Sequence, residues 1–194
     1  MAPPRKHETA VILDATRALV LAEGPRAASV AAIAKASGAP AGTLYHRFGN
    51  RDGILTAAWL RALERFQSRA MAASGETALE AAVAMGVAAV RFATEVPEDA
   101  RLLLTIRPSD LLDGAPDAEF ESVLATMNTP LIERLRELAR ELYGNHDART
   151  MDLMARAVVD LPYATVRRHA NDDELPPWLE EDLAAAVRAL LSLR

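Results

Sequence analysis

The sequence predicts an all-α fold in two parts, an N-terminal three-helix domain containing a helix-turn-helix and a C-terminal helical bundle. Three observations carry that expectation. Apolar residues recur at three- and four-residue steps along most of the chain, with Ala, Leu, Arg and Glu dominating and Gly or Pro punctuating the segments. No segment shows the alternation of a half-buried strand. Within residues 24–55, two short helical patterns flank a Gly-Ala-Pro turn. At 194 residues and 51% hydrophobic content, there is ample material for a packed core.

The first helix is expected from about Thr9, read as its cap, to Glu23, with Ile12, Ala15, Leu19 and Ala22 on one stripe and Gly24-Pro25 as its stop. It would brace the pair that follows. Ser29 caps a second helix of about two turns, in which Val30, Ile33 and Ala34 share a face. Gly38 sits where a left-handed residue closes that helix, and Pro40 precedes or opens the next without wasting a backbone donor. In the third helix Leu44 and Phe48, four residues apart, face inward, leaving Gly42, Thr43, Tyr45, His46 and Arg47 outward. Such a face suits a DNA groove: small residues allow close approach, hydroxyls donate to phosphate, and Arg47 adds positive charge.

The charge map agrees. Residues 1–53 hold seven Lys and Arg against four Asp and Glu, a net of +3, although the whole chain carries −5. A positive excess confined to the motif is the footprint of phosphate binding, and the overall acidity argues against a general nucleic-acid coat.

The stretch Gly38 to Phe48, with Thr43-Leu44-Tyr45 inside it and the basic Arg51 behind it, resembles the recognition-helix signature of the TetR/AcrR family of bacterial transcription regulators. The likeness extends at motif level from about Thr9 to Phe66, and beyond that only as helix count and length. The resemblance implies that Ser29, Thr43, Tyr45, Arg47 and Arg51 contact the DNA backbone, with Ala41, Gly42 and Tyr45 nearest the bases and His46 on the same outer face. Pro40 stands in place of the usual Ser or Thr cap, Arg47 where His or Tyr is frequent, and Arg51 in place of Lys. None of these removes a needed charge. Pro40 does remove a side-chain acceptor, which leaves the first amides of the helix to phosphate or water. With few long side chains in the base-facing row, operator shape and deformability gain weight in recognition.

The expected division is a DNA-binding domain over 7–53, a connecting helix over about 51–74 carrying Leu55, Trp59, Leu63 and Phe66, and a C-terminal domain over 75–194. Leu79 to Phe92 is so uniformly apolar that it reads as a central helix covered on most sides. Pro97 opens a short helix holding Leu102, Leu103, Leu104 and Ile106, closed by Arg107-Pro108, and residues 109–116 read as loop. A long helix from about Phe120 to Leu142 is expected to kink or split at Pro130. Asp147 to about Ala170 reads as one helix kinked at Pro162, and a last helix carries Leu179, Leu183, Val187 and Leu190 on one face.

By the same resemblance, the C-terminal bundle is a ligand-binding and dimerisation domain, its last two long helices packing against their counterparts in a homodimer. A small apolar or amphipathic effector in that bundle would change the spacing of the two DNA-reading heads. Met85, Phe92, Met127, Met154 and Tyr163 are the expected lining, because thioethers and aromatics adapt to apolar ligands. The target is then a double-stranded operator, roughly palindromic, with half-sites ~34 Å apart.

Other classes find little support. The chain has no Cys, which excludes disulfides, thiolate zinc sites and thiol redox sensing. Its His residues, His7, His46, His146 and His169, are scattered and form no zinc motif, and no nucleophile elbow, phosphate loop or dinucleotide fingerprint occurs. No cofactor, metal or catalytic residue is expected. The acidic runs 171–174 and 180–182 read as a solvated loop and a helix first turn rather than a magnesium site. The longest uncharged apolar-rich stretch, 81–90, falls far short of the ~20 residues of a membrane helix, so a cytoplasmic protein is expected. The competing expectation is a helical interaction module that keeps the helix-turn-helix without reading DNA.

Overall fold

The structure, a computed structural model, describes residues 8–112 and 118–193. Expectations for His7 and for residues 113–116 fall outside that range. The described residues form α1 (Thr9–Glu23), a 3-10 turn (Pro25–Ala27), α2 (Val30–Ser37), α3 (Ala41–Phe48), α4 (Arg51–Ala72), α5 (Ala78–Glu95), α6 (Pro97–Thr105) and α7 (Pro108–Leu111). Then follow α8 (Ala118–Tyr143), α9 (Ala148–Ala155), a π turn (Arg156–Asp160), α10 (Leu161–Arg168) and α11 (Leu179–Leu191). No strand occurs among them, and the fold is all-α.

The apolar side chains gather in two clusters. The first joins Ile12, Leu13 and Val20 of α1 to Ile33, Leu44, Ile54, Leu55 and Trp59, and draws in Leu102 of α6 and Phe120 of α8. The second surrounds α5, which buries ten residues, with Leu135 and Leu138 of α8, Met154 of α9, Val166 of α10 and Leu183 and Val187 of α11. The connecting helix α4 serves both, Trp59 on the first and Ala70 on the second. Non-directional burial of this kind supplies most of the driving force for folding.

Several local expectations are corrected. Thr9 does not cap α1: Glu8 is the N-cap, without a side-chain bond, and Thr9 Oγ1 accepts from Arg47 Nη1 at 3.2 Å. The buried stripe of α1 is Ile12, Leu13, Thr16 and Val20, whereas Ala15 and Leu19 are half-buried and Ala22 is exposed. Thr16 is tolerated at full burial because its hydroxyl donates to the Ile12 carbonyl at 2.8 Å. The expected loop after Arg107 starts with the helical turn α7.

Pro130 does not split α8. The carbonyl left without a donor there is one bond lost, set against the burial of Leu135, Leu138 and Ala139 and a 2.7 Å hydrogen bond from Gln67 Nε2 to Asn128 Oδ1. The expected Asp147 to Ala170 helix spans 148–168 and is interrupted ahead of Pro162 by the five-residue π turn. Pro162 has no N–H for the preceding turn, and the wider turn absorbs the misfit. In α11 the fourth buried residue is Leu191, with Leu190 half-buried. That stripe packs on α5 of the same chain, so it does not form the expected partner-facing stripe; the outward side of α11 exposes Glu181, Asp182, Ala185, Arg188 and Ala189.

Candidate nucleic-acid interface and the cavity behind it

Ser29 Oγ accepts the Ala32 amide at 3.1 Å and starts α2; Gly38, at φ 69°, ends it in the left-handed region. Ser37 completes the turn. Its hydroxyl donates to the Ile33 carbonyl at 2.7 Å and accepts the Ala39 amide at 3.3 Å. The Pro40 carbonyl then receives the Thr43 amide at 2.9 Å and the Leu44 amide at 3.3 Å, leaving the Ala41 and Gly42 amides without a partner inside α3. Leu44 is fully buried and Phe48 half-buried, which fixes the roll of α3. Asn50 Oδ1 caps the next helix by accepting the Gly53 amide at 2.8 Å.

That roll leaves Ala41, Gly42, Tyr45 and His46 exposed, with Thr43 and Arg47 half-buried beside them and Ser29 exposed at the start of α2. Tyr45, at 54% exposure, is among the most exposed large side chains of the molecule. Arg47 leans toward α1 through its bond to Thr9. Arg51 is turned inward: one terminal nitrogen donates to Asp52 Oδ1 at 2.7 Å and the other to the Pro25 carbonyl at 2.6 Å. In this arrangement it ties the start of α4 to the turn before α2.

Behind this head, α4, α5, α6, α8, the π turn and α10 enclose a cavity of about 210 Å³. Of the five expected lining residues, Met85, Phe92 and Tyr163 lie on its wall. Met127 and Met154 do not; Met154 is fully buried in the core of the bundle, and on α8 it is Leu131, one turn after Met127, that reaches the wall. The remaining wall includes Leu63 and Phe66 of α4 and Leu103 and Leu104 of α6. Sequence reasoning missed these, although three successive leucines at 102–104 cannot all face one side of a helix, and Leu102 goes to the other core. Among the described residues no charged side chain lines the cavity, and the indole N–H of Trp59 is already given to the Ile106 carbonyl at 3.2 Å.

The helix α6, which supplies part of the cavity wall, also carries a buried carboxylate that reaches the head. Asp99 is fully buried and hydrogen-bonds Arg17 of α1 and, at 2.7 Å, Arg65 of α4. Burial alone pushes its carboxyl up, but the two guanidinium groups outweigh this and hold it below its ordinary range. Arg61 of α4 makes a further tie, donating to Asp14 at 2.6 Å and to the Ala10 carbonyl at 3.1 Å. No group of three metal-binding side chains occurs among the described residues, and no described helix is long and apolar enough to cross a membrane.

Residues 12–58, from the core of α1 to the first half of α4, match the family model of bacterial regulatory proteins of the tetR family. A search of curated proteins finds no match. Among solved structures, a TetR family transcription regulator from Marinobacter aquaeolei is similar at TM-score 0.72 and 19% identity, covering 94% of each chain. The fatty acid degradation regulator FadR from Bacillus halodurans is similar at TM-score 0.69 and 19% identity, covering 96% of this chain and 100% of that one. A transcriptional regulator of the TetR/AcrR family from Thermobifida fusca gives TM-score 0.64 and 21% identity, over 95% and 96%. At such identities the likeness is one of fold, and it runs through both helical parts. Residues 12–58 thus match the helix-turn-helix of the bacterial tetR-family regulators, and the described residues take the all-helical fold of the TetR-family structures to which the chain is similar.

Proposed function

We propose that the protein is a homodimeric repressor, acting in the cytoplasm, that leaves a roughly palindromic operator when a small apolar effector enters the cavity. The single observation that carries the DNA-reading part is the outer row of α3. Tyr45 stands 54% exposed next to a fully buried Leu44, on a helix whose exposed first residues, Ala41 and Gly42, have amides without a backbone partner among the described residues. Ser29, Thr43, Tyr45, His46 and Arg47 would hold phosphates while Ala41 and Gly42 let the helix approach the bases. Arg51 joins them on turning outward from Pro25. The proposed division is a 7–53 head, a connecting helix over about 51–74 and a 75–194 effector domain; the two apolar clusters support it in part, since Leu102 and Phe120 of the C-terminal portion pack on the core of the head. An uncharged cavity lining supports a neutral apolar effector, since a buried charge would have no partner there. Exposed Trp178 and Leu193 at the two ends of α11, with Ala185 and Ala189 between them, support pairing through that helix. The family's regulators, and the absence of any catalytic constellation from the reading of the sequence, support a non-enzymatic role.

The test is selection of binding sites from a randomised duplex pool at stated salt, with Tyr45→Ala in parallel. A palindrome enriched by the parent protein and not by the variant is the expected result. A folded parent that enriches nothing would overturn the reading and favour a helical interaction module.

A further inference from the structure

Two adjacent residues of α6, about 100° apart around the helix axis, meet different surroundings. Ala100, with Leu103 and Leu104, walls the apolar cavity, while Asp99 is fully buried against α1 and α4. Its Oδ1 accepts from Arg17 Nη1 of α1, and its Oδ2 accepts from Arg65 Nη1 of α4. The other terminal nitrogen of Arg17 holds Glu98, also on α6. Arg17 Nε is buried without a hydrogen-bond partner among the described residues, so the guanidinium is gripped through its terminal nitrogens alone. We propose that Asp99 is the positioning residue of the DNA-reading head: it fixes α1 and α4 to α6, the helix that walls the cavity, in one geometry.

The physical reason is direction. The apolar contacts of α1 are non-directional and fix its separation from its neighbours more sharply than small slides along them. A carboxylate taken out of water and shared between two guanidinium groups is different. It tolerates only geometries that keep both oxygens bonded, since losing one partner strands a desolvated charge. Arg17 and Arg65 come from the two helices whose relative placement orients α2 and α3. Leu102, a turn of α6 away from Asp99 and buried in the core of the head, moves with it. The positioning role stands on these contacts and not on the effector reading above.

The absence of cysteine allows a direct test. Lys35→Cys on α2 and Glu141→Cys on α8, both exposed, are spin-labelled in one chain and diluted with unlabelled protein, so that the measured distance lies within one subunit. In Asp99→Asn and in Arg17→Gln the distance distribution is expected to widen by about twofold or more, while the affinity of the neutral fluorophore 1-aminoanthracene changes by less than about twofold. Arg17→Lys, which keeps a positive charge facing the Asp99 carboxylate, should restore most of the narrow distribution. A distribution as narrow in Asp99→Asn and Arg17→Gln as in the parent, with helical content intact, would overturn the proposal. Should Asp99→Asn fail to fold, Arg17→Gln against Arg17→Lys decides it. A parent protein that does not take up 1-aminoanthracene counts against the effector reading only, and the width of the distribution still decides the role of Asp99.

Discussion

Gly86 of α5 and Val187 of α11 lie so close that a Cβ on the glycine would stand 3.2 Å from Val187 Cγ2. Val187 is fully buried, β-branched and stiff at χ1, and Pro162 Cγ lies 3.6 Å from the same point. The two helices therefore approach at a place where only hydrogen fits easily. Arg91 and Glu180, 2.6 Å apart at the surface, flank the same helix pair.

Gly86→Val should destabilise the bundle by about 1–3 kcal/mol, because the added methyls meet side chains that cannot step aside. Gly86→Ala should be milder, since better helix propensity offsets part of the contact. Urea denaturation followed by helical signal measures both. A Gly86→Val protein as stable as the parent would mean that α5 and α11 are less closely packed than the structure has them.

Arg47→Ala should weaken operator binding and make its salt dependence shallower by about one phosphate contact, a change in slope of ~0.9. Tyr45→Ala should weaken binding with little effect on stability, since its ring is 54% exposed and packs on no core. Titrations at three salt concentrations separate the two effects. Equal slopes for the parent and Arg47→Ala would remove Arg47 from the phosphate contacts.

Ala89→Phe should fill the cavity from α5, where Ala89 is a half-buried wall residue. Binding of 1-aminoanthracene should then fall by about tenfold or more, as expected when an apolar site of this size loses its space. Calorimetry or fluorescence reads the change, and operator binding without ligand should survive. Unaltered uptake of the fluorophore would place its site elsewhere.

Acid should loosen the head. The Asp99 carboxyl lies below its ordinary range: burial pushes it up, and hydrogen bonds from Arg65 and Arg17 more than compensate. Its folded value is thus lower than its unfolded one, so its stabilising contribution is fully present above about pH 4 and fades as pH falls through the folded value. The denaturation midpoint of the parent should drop steeply below about pH 4, and Asp99→Asn should start lower at neutral pH and fall less. An identical acid slope in the two proteins would show that Asp99 does not carry the effect.

How far the sequence reaches can be judged residue by residue. The turn at 38–40, the cap Ser29, the inward Leu44 and the stop at Gly24-Pro25 were legible because each is a local rule about one or two dihedrals or one short hydrogen bond. The all-α class was legible because apolar periodicity is a one-dimensional signal. Where the expectation failed, a non-local term had intervened. The α1 stripe shifted to Leu13 and Thr16 because the neighbours of a helix, not its periodicity, choose the buried face. Pro130 stayed inside one helix because burial on both sides of it exceeds one missing bond.

By itself, then, the sequence determined the helices, the head and its outward row, since these depend on contacts between residues near one another in the chain. Only the tertiary structure decided which residues wall the cavity, that the α11 stripe is spent on α5, and that Asp99 meets Arg17 from 82 positions away. An acidic residue in the first turn of α6 is an ordinary helix-dipole choice when read alone. Its partners are fixed by the packing of whole helices, a property that no local pattern along the chain records.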